Sequence, residues 1–123
     1  MDLIIGGAYQ GKTDYAKEKF ALTDGEIAAC ETQTPDLTAR CLCHLERFAL
    51  ACVKAGKEPA QVLAGCDLQG KVLICDDISC GVVPIDAETR EWREAVGRMT
   101  AALAARADTV TRVFCGLPLV LKG

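Results

Sequence analysis

The chain of 123 residues lacks any long block of like charge and any apolar run long enough to cross a bilayer. Its net charge at pH 7 is −3, so it offers no basic face, and we predict no nucleic-acid partner. Its longest apolar runs are short and strand-like, so we predict no membrane span. No basic region precedes an apolar stretch at the amino terminus, so we expect no signal peptide and a cytoplasmic protein.

Internal repeats, low-complexity segments and linkers are also missing from the sequence. The length is enough for one modest domain with a real core and too short for two. Half of the residues are hydrophobic and a quarter are charged, which is the balance of a globular protein. We therefore predict a single domain over residues 1–123.

The cysteines form no C-x-x-C pair, so a zinc site built from paired cysteines is poorly supported. The eight cysteines are Cys30, Cys41, Cys43, Cys52, Cys66, Cys75, Cys80 and Cys115. A disulfide framework of a secreted protein is one interpretation of this number. The expected absence of a secretion signal and the ample apolar residues favour the other interpretation, reduced and buried thiols.

A phosphate-binding motif, G-x-x-x-x-G-K-T, lies close to the amino terminus. Its residues are Gly6, Gly7, Ala8, Tyr9, Gln10, Gly11, Lys12 and Thr13. An apolar run predicts a strand before the motif, and a helix-compatible run follows it, which is the context that this motif requires. Glycines let successive N–H groups point at one anion, and the helix amino terminus adds further donors.

Binding of ATP or GTP is the function that this loop predicts. Lys12 would bridge the outer phosphates, and the Thr13 hydroxyl would ligate Mg²⁺. The alternative is a glycine-rich turn that carries a surface lysine.

Strands and helices alternate along the rest of the chain, which predicts an α/β domain with a mainly parallel sheet. The predicted strands span residues 2–5, 26–30, 71–75 and 109–114, with a short final arm at 119–122. The predicted helices span residues 12–20, 35–55 and 86–105, with one more helical turn at 59–63. Sheets of this kind bind ligands at the carboxyl ends of their strands, where the loop after the first strand lies.

The segment from Pro35 to Ala55 has the clearest helical periodicity. Thr34 resembles a helix cap, with Pro35 at the first helical position. One apolar stripe follows at helical spacing, made of Leu37, Cys41, Leu45, Phe48 and Cys52. This pattern predicts that Glu46 and Arg47 lie away from the buried face.

Two acids follow the apolar strand Lys71–Cys75, as in the second motif of nucleotide-hydrolysing proteins. Asp76 or Asp77 could hold Mg²⁺ or accept a proton from an attacking hydroxyl. The alternative is that these acids mark only the point at which the chain turns.

His44 is the only histidine, and it could be a nucleophile or a general base. Its position three residues after Cys41 and four before Phe48 favours a half-buried histidine on the helix instead.

Four sequence blocks, in this order and at these offsets, resemble the bifunctional adenosylcobinamide kinase/adenosylcobinamide-phosphate guanylyltransferase family. The loop 6–13 with Tyr15-Ala16 is similar to its G-G-A-R-S-G-K-S start. Residues 72–84 are similar to an apolar strand followed by N-E-V-G-x-G-I-V-P. Residues 90–98 are similar to R-x-F-R-D-x-x-G-R, and 114–119 to the closing S-G-I-P run.

The resemblance implies a P-loop NTPase-like three-layer domain with a C-terminal antiparallel arm. It implies phosphoryl transfer from ATP or GTP, with Mg²⁺, to a hydroxyl of a cobinamide-type molecule in cobalamin biosynthesis, and a homo-oligomer. Asp77 matches the acid of N-E-V-G, which makes it a candidate catalytic residue. Ala39-Arg40 followed by His44 is similar to the family's A-R-I-x-H pattern, with the guanylylated histidine one residue later.

The middle of the chain differs from that family, which has a further strand there; the sequence predicts the helix Pro35–Ala55 in its place. The alternative function is therefore a non-catalytic nucleotide-binding or regulatory module that has lost transferase activity.

Overall fold

A single mixed sheet runs through the residues that the computed structural model describes, which are 1–8, 10–78 and 86–123. Its strands are β1 (Asp2–Gly6), β2 (Ile27–Ala29), β3 (Cys41–Cys43), β4 (Val72–Asp76), β5 (Thr109–Phe114) and β6 (Leu117–Lys122). The helices are α1 (Lys12–Phe20), α2 (Leu45–Lys54), α3 (Pro59–Ala64) and α4 (Ala87–Arg106), with a 3₁₀ turn at Asp24–Glu26.

The strands lie in the order β2-β3-β4-β1-β5-β6. The first five are parallel to one another, and β6 returns antiparallel beside β5. The mainly parallel sheet and the antiparallel C-terminal arm are therefore confirmed. The parallel arrangement brings the carboxyl ends of β1, β3 and β4 to one edge of the sheet.

Helices cover both faces of the sheet, which gives the predicted three layers. In β1, Leu3 packs on the face covered by α2, α3 and α4, whereas Ile4 packs on the face covered by α1. Because strands buried on both faces cannot alternate polar and apolar residues, β1, β3 and β4 read as short continuous apolar runs.

Helix α1 and strand β5 have the bounds that the sequence predicts. Helix α4 begins after Asp86, whose carboxylate accepts a hydrogen bond from the Thr89 amide at 2.7 Å. This bond satisfies one of the otherwise unpaired donors at the start of the helix, as expected of an N-cap.

The predicted helix Pro35–Ala55 is wrong over its first ten residues. Strand β3 occupies Cys41–Cys43, and α2 starts only at Leu45. Asp36 makes a local turn, accepting the Thr38 amide at 3.0 Å, and does not start a helix. Leu37, predicted on the buried stripe, is 40% exposed.

Burial on both faces explains why β3 is a strand. Its three residues are all buried, and Cys41 has Ile27 of β2 on one side and Val72 of β4 on the other. The sheet hydrogen bonds from these two neighbours outweigh a helical periodicity that is only a local preference. Cys41 and Cys43 consequently share one face of a strand and do not lie on different sides of a helix.

Smaller differences concern the ends of other elements. The second strand is shorter than predicted, because Glu26 belongs to the preceding 3₁₀ turn and accepts the Thr23 amide. The final strand starts at Leu117, and all six of its residues are exposed. Residues 79–84 of the block that resembles an apolar strand followed by N-E-V-G-x-G-I-V-P lie outside the described residues.

Buried thiols account for most of the cysteines. None of the seven cysteines within the described residues is in a disulfide, and five are buried: Cys30, Cys41, Cys43, Cys52 and Cys75. Burial raises the pKa of Cys30 and of Cys41 to about 12 in each case. These thiols are therefore protonated and poorly reactive near neutral pH. Cys115 is exposed.

Within the described part of the chain, we find no helix with the length and apolar character needed to cross a membrane.

Thiol alkylation tests this description of the cysteines. At about pH 8, among the cysteines that the structure describes, Cys115 should be modified first, while Cys30 and Cys41 stay protected, because burial keeps their thiols protonated and covered. Mass spectrometry of peptides after iodoacetamide treatment measures this order. Cys115→Ser should remove the early label from its peptide, and concentrated guanidinium chloride should expose Cys30 and Cys41. Early labelling of Cys30 or Cys41 in the folded protein would contradict the structure.

Candidate functional site

The glycine-rich loop starts at the end of β1 and leads directly into α1. A Cβ on Gly6 would lie 2.4 Å from the carbonyl oxygen of Val113, so a side chain there would force the backbone apart. Gly11 has a φ of 86°, in the left-handed region that glycine adopts readily. Both positions therefore favour glycine for a physical reason. Tyr9, a predicted member of the loop, lies outside the described residues.

Lys12 is the buried cation of this site, with 6% of its surface exposed. Its Nζ donates a hydrogen bond to the carbonyl oxygen of Gly7 at 2.6 Å. The same Nζ forms an ion pair with Oδ1 of Asp76 at 2.7 Å. The ammonium group is thus held between the loop and the end of β4.

The pairing of β1 with β4 places the two predicted acids beside the loop. Gly6 and Asp76 are register partners in this parallel pair. The amide of Asp77 donates to the carbonyl oxygen of Gly6 at 2.7 Å. The side chain of Asp76 contacts Lys12, whereas Asp77 follows the strand next to the first residue of the loop.

Glu46 is a site residue that the sequence prediction missed. It lies in the first turn of α2 and is only 5% exposed, although the helical pattern predicts it away from the buried face. Its Oε1 accepts the amide of Asp76 at 3.0 Å. Its own carbonyl oxygen accepts the indole N–H of Trp92 at 2.7 Å, which ties this turn to α4. The only sign of this burial in the sequence is the apolar triplet 41–43. If the triplet is taken as a strand, the helix starts just before Glu46.

His44 does not lie on a helix but at the sharp turn between β3 and α2. It has a φ of 57°, so the chain reverses here through the left-handed region. Its Nδ1 lies 3.2 Å from Oε2 of Glu46, and 37% of its side chain is exposed. The sequence interpretation is therefore correct about the half-burial of His44 and wrong about its position on a helix.

One cavity of about 290 Å³ joins these groups. Its lining includes residues 10–13 of the loop, Asp14 of α1 and Asp76 of β4, together with His44 and Arg47. Arg47 forms an ion pair with Glu31 at 2.8 Å, and its Nε lies 3.9 Å from Oε2 of Glu46. Cations and carboxylates thus line the same space, as a site for polyphosphate and metal requires.

The donor types in this cavity fit Mg²⁺. Thr13 and Asp76 both line it, and a hydroxyl and a carboxylate are oxygen ligands of the kind that Mg²⁺ takes together with phosphate oxygens. The structure therefore brings together four of the residues predicted from the motifs: Lys12, Thr13, Asp76 and His44.

The hairpin of β5 and β6 holds the loop from the other side. Gln10 accepts two hydrogen bonds from its turn: the Cys115 amide reaches the side-chain Oε1 at 2.6 Å, and the Gly116 amide reaches the carbonyl oxygen at 2.8 Å. Gln10 therefore supports the loop structurally.

A comparison with protein families matches residues 50–121 to the family model described as cobinamide kinase/cobinamide phosphate guanyltransferase. This match covers more than half of the chain. The chain belongs to this family. At that general level it has a cobinamide kinase/guanyltransferase-like role in cobalamin biosynthesis, and proteins of the family use nucleotide substrates. The matched segment includes Asp76 and Asp77, while the glycine-rich loop, His44 and Glu46 precede it. No curated protein matches the chain.

An alanine in place of Gly6 tests how closely the start of the loop packs against β5. Gly6→Ala should lower the free energy of unfolding by about 1–3 kcal/mol, because the methyl group overlaps the Val113 carbonyl oxygen. Urea denaturation measures the change. Gly25→Ala is the matched control, since a Cβ there meets nothing within 4 Å. Equal stability of the two variants would contradict the close approach of β5 to the loop.

Proposed function

We propose that this family member binds ATP or GTP in the loop 6–13 and transfers a phosphoryl group to a hydroxyl of a cobinamide-type molecule. The observation that carries the proposal is the convergence of Lys12, Thr13 and Asp76 on one cavity at the carboxyl edge of the sheet. Open α/β sheets bind their ligands at this edge.

Lys12 supplies positive charge for the phosphates. In the structure its Nζ is bound to the carbonyl of Gly7 and to Asp76. On nucleotide binding it would exchange these partners for phosphate oxygens, which are stronger acceptors because they carry more charge. The amides of the loop and the first turn of α1 would bind the remaining phosphate oxygens.

Bond changes in the transfer follow from this arrangement. The acceptor oxygen forms a bond to the terminal phosphorus, the bond from that phosphorus to the bridging oxygen breaks, and a nucleoside diphosphate leaves. The acceptor proton goes to a carboxylate, for which we propose Asp77. Lys12 stabilises the charge that develops on the transferring group. Mg²⁺ held by Thr13 and Asp76 would neutralise further phosphate charge.

Removing the Lys12 ammonium group tests the proposal. Lys12→Ala should weaken ATP or GTP binding about 10- to 100-fold, because charge-assisted hydrogen bonds of about 1.5–3 kcal/mol are lost. Titration calorimetry measures binding, and release of nucleoside diphosphate with and without cobinamide measures transfer. Lys17→Ala is the matched control on the same helix, since Lys17 pairs with exposed Asp24.

The outcomes separate the two functions that the sequence leaves open. Lys12-dependent binding with cobinamide-dependent turnover supports the transferase. Lys12-dependent binding without turnover supports a non-catalytic nucleotide-binding module. If neither nucleotide binds to the unaltered protein, the proposal fails.

A further inference from the structure

Three potential metal ligands meet next to the cavity, and two of them, His44 and Asp76, also line it. His44, Glu46 and Asp76 each offer one ligand atom, and these atoms all lie within 4.8 Å of one another. The residues come from the turn before α2, the first turn of α2 and the end of β4. Only the fold brings them together, because Asp76 is 30 positions from Glu46 in the sequence.

The spacing of the first two ligands suits a metal ion. Nδ1 of His44 and Oε2 of Glu46 are 3.2 Å apart. Two such ligands at usual bond lengths on one ion lie about 3.1–3.4 Å from each other. An ion bound to both atoms could therefore replace the hydrogen bond between His44 and Glu46 without moving either side chain far.

Charge balance gives a second, independent reason. The side chains of Glu46 and Asp76 are only 6% and 23% exposed, so their charges are poorly hydrated. The cation that contacts Asp76 is Lys12, at 2.7 Å. Arg47 reaches Glu46 only at 3.9 Å and is shared with Glu31. If phosphates attract Lys12 away, two adjacent, partly buried carboxylates need another cation.

We propose that His44, Glu46 and Asp76 form a binding site for a divalent first-row transition-metal ion that takes the place of Lys12. An imidazole nitrogen suits such ions better than it suits Mg²⁺, which prefers oxygen ligands alone. His44 is then a metal ligand and neither the nucleophile nor the general base. The exchange with Lys12 rests on the proposed nucleotide function, whereas the ligand set does not.

The experiment is a titration of the full chain with Mn²⁺ in the absence of nucleotide. Electron paramagnetic resonance measures the concentration of free Mn²⁺ at each step. Mn²⁺ is the probe because it binds thiolates weakly, so the cysteines interfere little. Lys12→Met removes the competing ammonium group and should bind Mn²⁺ about tenfold or more tightly than the unaltered protein.

His44→Asn tests the histidine ligand in the Lys12→Met background, since asparagine tolerates the left-handed backbone there. We expect Mn²⁺ binding to weaken about 10- to 100-fold, the loss typical of a disrupted metal site, and Mg²⁺ binding measured by competition to change little. Asp24→Asn is the control, because Asp24 is an exposed acid whose ion-pair partner is Lys17, a residue outside the proposed metal site. Circular dichroism and melting temperature confirm that each variant is folded.

Two results would overturn the metal site: no Mn²⁺ binding to Lys12→Met, or equal Mn²⁺ affinity with and without His44. Nucleotide titrations of the unaltered protein in Mg²⁺ report separately on the proposed function. If the unaltered protein binds nucleotide but Lys12→Met does not bind Mn²⁺, this inference alone is refuted. If Lys12→Met binds Mn²⁺ but the unaltered protein binds no nucleotide, the proposed function alone is refuted.

Discussion

The parallel pairing of β1 with β4 is the constraint on which the candidate site depends. Because Gly6 lies opposite Asp76 in this register, the loop after β1 and the carboxylate at the end of β4 emerge at the same edge. A shift by one residue would turn Asp76 to the other face of the sheet. Strand β3 adds the turn with His44 and the start of α2, since it pairs with β4 on the other side.

Charge is concentrated in this site at a cost to stability. Burying Lys12, Glu46 and part of Asp76 removes hydration that their mutual attraction restores only in part. Each group has polar contacts within the described residues: Lys12 with the Gly7 carbonyl, Glu46 with the Asp76 amide. Such an arrangement contributes little to the stability of the fold, and it is of the kind that is frequent at functional sites.

The local sequence was sufficient to predict the loop and the strand that ends at Asp76, because each is marked by a contiguous motif: the glycines with Lys12, and an apolar run that ends in acids. The local sequence was not sufficient to predict β3. The apolar residues from Leu45 to Cys52 fit a helical period whether the helix starts at residue 35 or at 45, and β3 depends on partners far away in the chain. Glu46 was missed for the same reason, because its burial follows from contacts with Asp76 and Trp92.

Gln10 links the glycine-rich loop to the hairpin of β5 and β6. The two hydrogen bonds that it accepts come from a hairpin turn 105 residues further on. Contacts between such distant residues form slowly, since the intervening chain must first be ordered. The glycine-rich loop therefore reaches its final shape late in folding, once β5 and β6 have joined the sheet. If this loop binds nucleotide as we propose, that site is complete only at this stage of folding.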